Sequence, residues 1–394
     1  MAFRVVIAGA GVAALETALA LRALAEDFVS VELVAPEREF TYRPLAVAEP
    51  FGVGEVRRFP LASLVASTGA ALRRGTIVRV DPDEKMAVLE DGQTLDFDAF
   101  VVALGARPCE AVAGALTFRG PEDGQELSAL LERATGGDLR RIAFAVPAAI
   151  TWPLPAYELA LLTAGYLTDH GTRGVDILLV TPEERPLALF GPEASEALQE
   201  LLEIRGIELH TGAAPIAWHD GLLEVAGMPA IDADAVVSLP HLVGPALPGL
   251  PHDGAGFVPT DPHGRVLGTA DVYAAGDATQ FPLKQGGIAT QQADAVATAI
   301  AADVGAGVES PPVRPVIRGL LLTGLVPRYL RSGMGQSVID TEPLWWPPAK
   351  IVGRYLTPFL AAQLGLAPSL SETSRAAAVE VEVDPRDSAS WSAV

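Results

Sequence analysis

The stretch Gly9-Ala10-Gly11-Val12-Ala13-Ala14 constrains this chain more than any other. An apolar run, Phe3 to Ala8, leads into it, and a run of helix formers, Ala13 to Ala25, leads out. A buried strand, a glycine turn and a helix open a β-α-β unit. The apolar run Val29 to Val34 predicts its second strand. In this G-x-G-x-x-A pattern Gly9 permits the tight turn and Gly11 lets the backbone approach a pyrophosphate. Ala14 keeps the helix close to the strand. The helix start then presents unpaired N–H groups to phosphate oxygens. The alternative is an ordinary glycine turn, but a place between strand and helix favours the nucleotide.

Such units use an acidic residue at the end of the second strand for the adenosine ribose. Here that place holds Ala35. Glu37, two residues on, is the candidate to reach the ribose instead, with a solvated loop carboxylate as the alternative.

The pattern begins again downstream. Ile142 to Val146 reads as a strand, Tyr157 to Thr168 as a helix and Val175 to Val180 as a strand. A helix from Glu193 to Ile204, the stretch Glu208–His210 that leads out of it and a last strand at Ala235–Ser238 complete this second half. Phe100 to Ala103 reads as a further strand of the first half, and Val272 to Ala275 should rejoin it. A helix from Gln291 to Val304 follows. Beyond Pro311 come apolar pieces, then Trp345-Trp346-Pro347-Pro348 and a predicted helix from Ala349 to Leu364, kinked at Pro358. The tail from Ser371 is rich in Ser, Ala and acids and reads as disordered.

Composition removes several partners. The net charge of -21 argues against nucleic acid and against bulk attraction to anionic lipid. Cys109 is the one cysteine, so neither a disulfide framework nor a cysteine metal site is expected, and no metal is assigned. No apolar run is long enough to span a bilayer. The first strand starts at Phe3, so no signal peptide is expected, and a cytoplasmic location is the simplest reading.

A second motif lies at Val272-Tyr273-Ala274-Ala275-Gly276-Asp277, with Thr269 just upstream. It resembles the V-Y-A-x-G-D segment of flavoproteins with two dinucleotide-binding domains. There the aspartate binds a ribityl hydroxyl, a role the resemblance gives to Asp277. A carboxylate at a strand end, beside a glycine that permits close approach, suits such a hydroxyl. Lys284-Gln285-Gly286-Gly287-Ile288-Ala289 then opens a helix. Free N–H groups there, at Gly287 and Ile288, would stabilise negative charge on a reduced ring. Lys284 would add to this or face substrate; a plain surface lysine is the alternative.

With Ala103-Leu104-Gly105-Ala106-Arg107-Pro108 as a variant of an A-T-G-x-x-P segment, these motifs resemble the pyridine nucleotide–disulfide oxidoreductase superfamily. The likeness is to its sulfide:quinone and type II NADH:quinone oxidoreductase branch. Phe40-Thr41-Tyr42-Arg43-Pro44-Leu45 resembles the stretch that runs past the flavin there. The resemblance covers about residues 3 to 305. It implies an α/β fold with two Rossmann-like domains, bound FAD, an electron donor on one side of it and an acceptor, often a quinone, on the other. By it Gly9, Gly11, Ala14, Glu37, Arg43, Ala103, Gly105, Gly276, Asp277, Gly287 and Ile288 are the expected FAD contacts. The expected division is a discontinuous FAD domain at 1–115 and 245–308, an inserted second domain at 116–244, a C-terminal segment at 309–370 and the tail at 371–394.

Two departures limit what carries over. Sulfide oxidation in that branch uses a pair of redox cysteines, and Cys109 stands alone, so it reads as structural or incidental. The second half should carry its own glycine loop for NADH. Instead the strand runs into Pro147-Ala148-Ala149-Ile150-Thr151-Trp152-Pro153-Leu154-Pro155-Ala156-Tyr157-Glu158. Without glycine the backbone cannot come close to a pyrophosphate, and the three prolines lack donors. Sulfide:quinone-type members resemble this chain in a W-P-L-P-x-Y-E segment.

Glu158 is a candidate proton shuttle near the flavin, with a helix-dipole partner as the favoured alternative. Trp152, Tyr157 and His241 are candidates to line the same cavity, and Gln291 and Gln292 to contact ring or substrate; packing or helix-surface places are the alternatives. Ile351, Val352, Tyr355, Leu356, Phe359 and Leu360 form an apolar helical face that either meets lipid beside the tryptophans or covers the flavin domain or a dimer partner. Covering is favoured, since Lys350 and Arg354 supply little basic charge. The leading expectation is an FAD-dependent oxidoreductase that passes electrons from a small donor to an acceptor such as a quinone. A type II NADH:quinone oxidoreductase with an unusual loop and a non-catalytic flavin-binding scaffold are the alternatives.

Overall fold

A computed structural model describes residues 2–333 and 335–365. The tail expected from Ser371 lies outside the described residues. Helices are α1 (Val12–Ala25), α2 (Leu61–Thr68), α3 (Gly124–Thr135), α4 (Leu154–Asp169), α5 (Pro192–Ile204), α6 (Gly286–Asp303) and α7 (Leu356–Gln363).

Two five-stranded parallel sheets organise the chain. The first runs Val272–Ala274, Ala99–Val102, Phe3–Ala8, Val29–Ala35, Ala71–Arg74. The second runs Leu116–Thr117, Ala235–Ser238, Arg141–Ala145, Asp176–Val180, Ile207–His210. The halves share one plan. Each opening strand is flanked on one side by the next strand of its unit and on the other by a strand returning from downstream. That reversal leaves a crevice at the carboxyl end of the opening strand, where doubly wound sheets bind ligands. Gly9 sits in the first crevice. The strand at Val272 rejoins the first sheet, so the chain crosses between halves twice. Its apolar strands are buried, as sheets covered on both faces require.

The C-terminal segment differs from expectation. Its apolar pieces are a three-stranded antiparallel meander, Ile317–Leu321, Arg328–Gly333 and Gln336–Asp340. The helix predicted from Ala349 begins only at Leu356. Residues 349–352 have their backbone groups claimed by side chains elsewhere. Trp345 Nε1 donates to the Ala349 carbonyl at 2.9 Å, the Ile351 N–H donates to the Tyr42 hydroxyl at 3.0 Å, and the Thr290 hydroxyl donates to the Val352 carbonyl at 2.8 Å. Pro358 does not kink α7, because it falls in the first turn, where a missing N–H costs nothing.

The apolar face at Leu356 and Leu360 packs into the core of the first half with Leu15 and Ala18 of α1. Burying each leucine contributes about 1.5–3 kcal/mol. Trp345 is 1% exposed and meets Tyr329 edge-on at 5.1 Å, so it is a core residue and no lipid anchor. Within the segment α7 thus covers the first half and the meander packs, through Leu321 and Leu330, on the second; no helix among the described residues is long and apolar enough to cross a membrane.

Candidate functional site

The glycine loop has the geometry its residues predict. Gly9 has φ +113°, and a Cβ there would lie 2.3 Å from the carbonyl oxygen of Ala103. Ala103 therefore sets how close the loop approaches the neighbouring strand. Gly11 has φ -82°, and a Cβ there would meet nothing of the chain within 4 Å. That face of the loop is open and exposed. Among the described residues, the N–H groups of Gly11 to Ala14 donate to no protein acceptor. Ala14 is fully buried under the sheet. This crevice fits a pyrophosphate: open room over Gly11, free donors and a helix start.

The second motif comes to the same place. A Cβ on Gly276 (φ +77°) would lie 3.0 Å from the Ala13 methyl, so glycine lets the turn lie against the start of α1. Gln292 holds that turn from behind. Its Oε1 accepts the Gly276 N–H at 2.8 Å and its Nε2 donates to the Thr279 hydroxyl at 3.3 Å. Gln291 is likewise committed, donating to the Val316 carbonyl at 2.9 Å and accepting the Val316 N–H at 2.8 Å. Both glutamines point inward and brace backbone. They neither lie on the helix surface nor face a free ligand position.

Asp277 makes no side-chain hydrogen bond among the described residues, although burial pushes its carboxyl up to about 6 against the attraction of Lys284. An acceptor this desolvated and this unpartnered suits a hydroxyl brought by a ligand. Lys284 is only 6% exposed, so it is no surface lysine. Its ammonium donates to the Thr279 carbonyl and lies 3.9 Å from the centre of the Phe257 ring. Burial lowers its pKa to about 8, opposed by Asp277 and Asp253.

At the start of α6 the Gln285 Oε1 accepts the Ile288 N–H at 2.9 Å. The amide of Ile288 is thus taken, a correction to the expectation that it is free. The amides of Gly286 and Gly287 have no acceptor among the described residues. Gly105 (φ +69°) has open space about it. Glu37 lies exposed in its loop. Arg43 is half exposed and pairs with Glu122 at 3.2 Å.

Glu158 is where the structure departs furthest from the sequence reading. It is fully buried and ion-paired to Lys350 at 2.6 Å, and its Oε1 also accepts the Leu322 N–H at 2.9 Å. Burial raises its pKa, opposed by Lys350 and then by the Leu322 amide. A solvated partner for the helix dipole is therefore excluded. Trp152 lines the cavity described next, but Tyr157 and His241 do not. Tyr157 is fully buried with its hydroxyl 2.6 Å from Glu183, and His241 sits opposite Cys109 in an antiparallel strand pair.

Two cavities adjoin, and Asp277 lines one of them. The larger, about 280 Å³, is lined by Arg43, Trp152, Glu158, Asp277, Lys284 and Arg318 among others. The second, about 270 Å³, is apolar, with Tyr42, Leu45, Phe59, Leu356 and Leu360 in its wall. Leu320, Lys350 and Ile351 line both, so the segment around Lys350 is the partition. The sequence reading valued Lys350 only as a surface charge and missed Arg318, Gln285 and Glu183. Gln285 caps α6 in the structure, but glutamine is not a usual N-cap residue, so no local signal marked it.

The family model for pyridine nucleotide-disulphide oxidoreductases matches residues 3–142 and 158–300, well over half of the chain. The chain belongs to that family. It is an oxidoreductase, and FAD is its cofactor. The gap in the match, 143–157, falls on the stretch without glycine in the second half. Among curated proteins, the chain is 29% identical over 389 residues to the ferredoxin reductase component of a chlorobenzene dioxygenase from Cupriavidus sp. (strain PS12), covering 87% of this chain and 90% of the relative. It is 27% identical over 303 residues to demethylphylloquinone reductase NdbB of Synechocystis sp. (strain ATCC 27184 / PCC 6803 / Kazusa), covering 70% and 72%. Among solved structures, the fold matches a sulfide:quinone oxidoreductase of Aquifex aeolicus with TM-score 0.81 at 18% identity, over 97% of this chain and 96% of that one.

Proposed function

We propose that this oxidoreductase takes electrons from a small donor in the larger cavity and delivers them to a quinone-like acceptor in the apolar one, without NADH at the usual place. Bound FAD, held by Gly9, Gly11 and Asp277, would supply the two-electron transfer between donor and acceptor. The observation that carries this reading is the pair of cavities that share Leu320, Lys350 and Ile351 as a wall, with Asp277 lining the larger one.

The chain's own residues have separable roles in it. Gly9 and Gly11 shape the crevice for the pyrophosphate, with the amides of α1 as donors. Asp277 accepts a hydroxyl of the ribityl chain, and Lys284 keeps that carboxylate ionised. The free amides at the start of α6 favour negative charge at the ring edge. The leucines and aromatic residues of the second cavity suit an apolar ring and offer little to a charged acceptor.

Exclusion of NADH rests on two features of the second half. Pro147, Pro153 and Pro155 stand where amides would hold a pyrophosphate. Glu183, just beyond the strand Asp176–Val180, occupies the region where an acid would meet the adenosine ribose. It is already tied to the Tyr157 hydroxyl at 2.6 Å and to the Thr181 hydroxyl at 3.1 Å. The quinone side gains support from the NdbB likeness and from the fold likeness to a sulfide:quinone oxidoreductase, which extends over nearly the whole chain. Cys109 lines neither cavity, which speaks against standard sulfide chemistry.

The test is anaerobic reoxidation. Protein reduced with one equivalent of dithionite is mixed with decylubiquinone, and the return of the yellow absorbance is followed. Reoxidation within seconds is expected, slowed at least tenfold in Leu360→Glu. A reduced flavin that ignores the quinone, or a Leu360→Glu protein as fast as wild type, would refute the acceptor side.

A further inference from the structure

Arg318 and Arg331 stand directly opposite each other on the first two strands of the C-terminal meander. Residues so paired have their side chains on one face of the sheet, and like charges there repel. Neither guanidinium has a carboxylate partner or a side-chain hydrogen bond among the described residues. Arg318 is half-buried and lines the larger cavity. Burial and then Arg331 lower its pKa to about 10, and it remains a cation at neutral pH.

The other cations in that wall are committed. Arg43 pairs with Glu122, Arg119 with Asp123, and Lys350 with Glu158. Lys284 is held by the Thr279 carbonyl and by attraction to Asp277. Arg318 alone among them keeps its donors free. In a chain of net charge -21 an acidic partner would be easy to supply, yet the fold places a second arginine there instead. Two half-buried guanidiniums without an anion are an unfavourable arrangement, and a bound anion relieves it.

We propose that the larger cavity binds a small anion through the Arg318 guanidinium, with Arg331 behind it, and that the electron donor of this enzyme is therefore anionic. A planar fork of donors suits a carboxylate or another small oxyanion, gripped by two parallel N–H···O bonds. This rests on the reading of that cavity as the donor side.

The experiment uses the full FAD-loaded chain, titrated with benzoate and with its neutral isostere benzamide. Binding is read from the shift of the visible flavin spectrum and, independently, by calorimetry. Wild type is expected to bind benzoate at least about tenfold more tightly than benzamide, the value of one charge-assisted contact. Arg318→Gln should abolish that preference while keeping benzamide binding and FAD content. Arg318→Lys should retain part of it. Arg331→Gln should weaken benzoate and raise the Tm of the anion-free protein, since one repelling charge is gone. Equal affinity for the two probes in wild type, or an unchanged preference in Arg318→Gln, would overturn the proposal. If Arg318 serves the reduced flavin instead, Arg318→Gln lowers the flavin midpoint potential with no anion present and leaves the preference intact, which also overturns it. A calorimetric preference for benzoate with no shift of the flavin spectrum would leave the anion site standing and refute the cavity's place beside the flavin.

Discussion

Glu158 and Lys350 form a buried ion pair, with the ammonium 2.7 and 2.6 Å from the two carboxylate oxygens and neither side chain more than 8% exposed. The pair ties the opening of α4 to the wall between the two cavities. Its worth lies in the cost of breaking it. Lys350→Met strands a buried carboxylate and should destabilise the protein by ~3–5 kcal/mol. Glu158→Gln with Lys350→Met should recover most of that loss. Urea unfolding of wild type and the two variants checks this; a Lys350→Met protein as stable as wild type would show that water reaches the pair.

Glu16 of α1 and Asp294 of α6 make a second buried relationship. Glu16 accepts the amides of Tyr355 and Leu356 at 2.9 and 2.5 Å, while Asp294 Oδ1 is buried without a donor. Burial first, then the neighbouring Glu16, holds the Asp294 carboxyl well above its usual range, opposed by exposed Arg354. Burial also raises Glu16, opposed by those amides. Both carboxyls are thus pushed up, while the amides at the start of α7 favour charge on Glu16. A pKa higher in the folded state than in the unfolded one gives stability that is complete below the unfolded value, about 4, and is lost as pH climbs toward the folded value. Asp294→Asn should therefore raise Tm at pH 8 and change it little at pH 4. Parallel Tm curves for the two proteins across that range would contradict this.

The two loop glycines should fail differently. Gly9→Ala collides with the Ala103 carbonyl and forces an L residue to φ +113°, so the first half should fold poorly. Gly11→Ala meets nothing of the chain and has an ordinary φ, so the apoprotein should fold with unchanged Tm. Its FAD affinity should fall by about tenfold or more, the equivalent of ~1.4 kcal/mol. FAD content after gel filtration, measured beside Tm, separates the two; Gly11→Ala protein with full FAD would remove the pyrophosphate from that crevice.

How much of this was legible in the sequence depended on how local the signal was. The glycine loop, its helix and the Asp277 turn are short motifs whose spacing carries their geometry, and the structure brings them together at Ala13 and Gly276. The helix expected from Ala349 was not legible, because Tyr42, Thr290 and Trp345, distant or turned back in sequence, take the backbone groups it would need. Arg318 was invisible for the same reason: only strand pairing sets it against Arg331. Nothing local in the W-P-L-P-x-Y-E stretch reveals that Glu158 meets Lys350, 192 residues away.

Asp277→Ala should weaken FAD by ~1.5–3 kcal/mol, the loss of one hydrogen bond to a charged group. Its carboxyl titrates at about 6, so wild-type FAD retention should decline below that pH. Lys284→Met removes the cation that opposes burial and should move the decline upward. FAD release by dialysis from pH 5 to 8 reads both; a pH-independent release in Lys284→Met and wild type alike would detach Asp277 from the cofactor.

We propose an FAD enzyme whose second half does not take NADH at the usual place. Anaerobic stopped-flow mixing of the FAD-loaded protein with NADH at saturating concentration tests it most directly. The flavin absorbance is expected to stay that of the oxidised form over the first minute, with NADPH behaving alike. Bleaching within a second would contradict it and restore a nicotinamide site between α4 and the Glu183 turn.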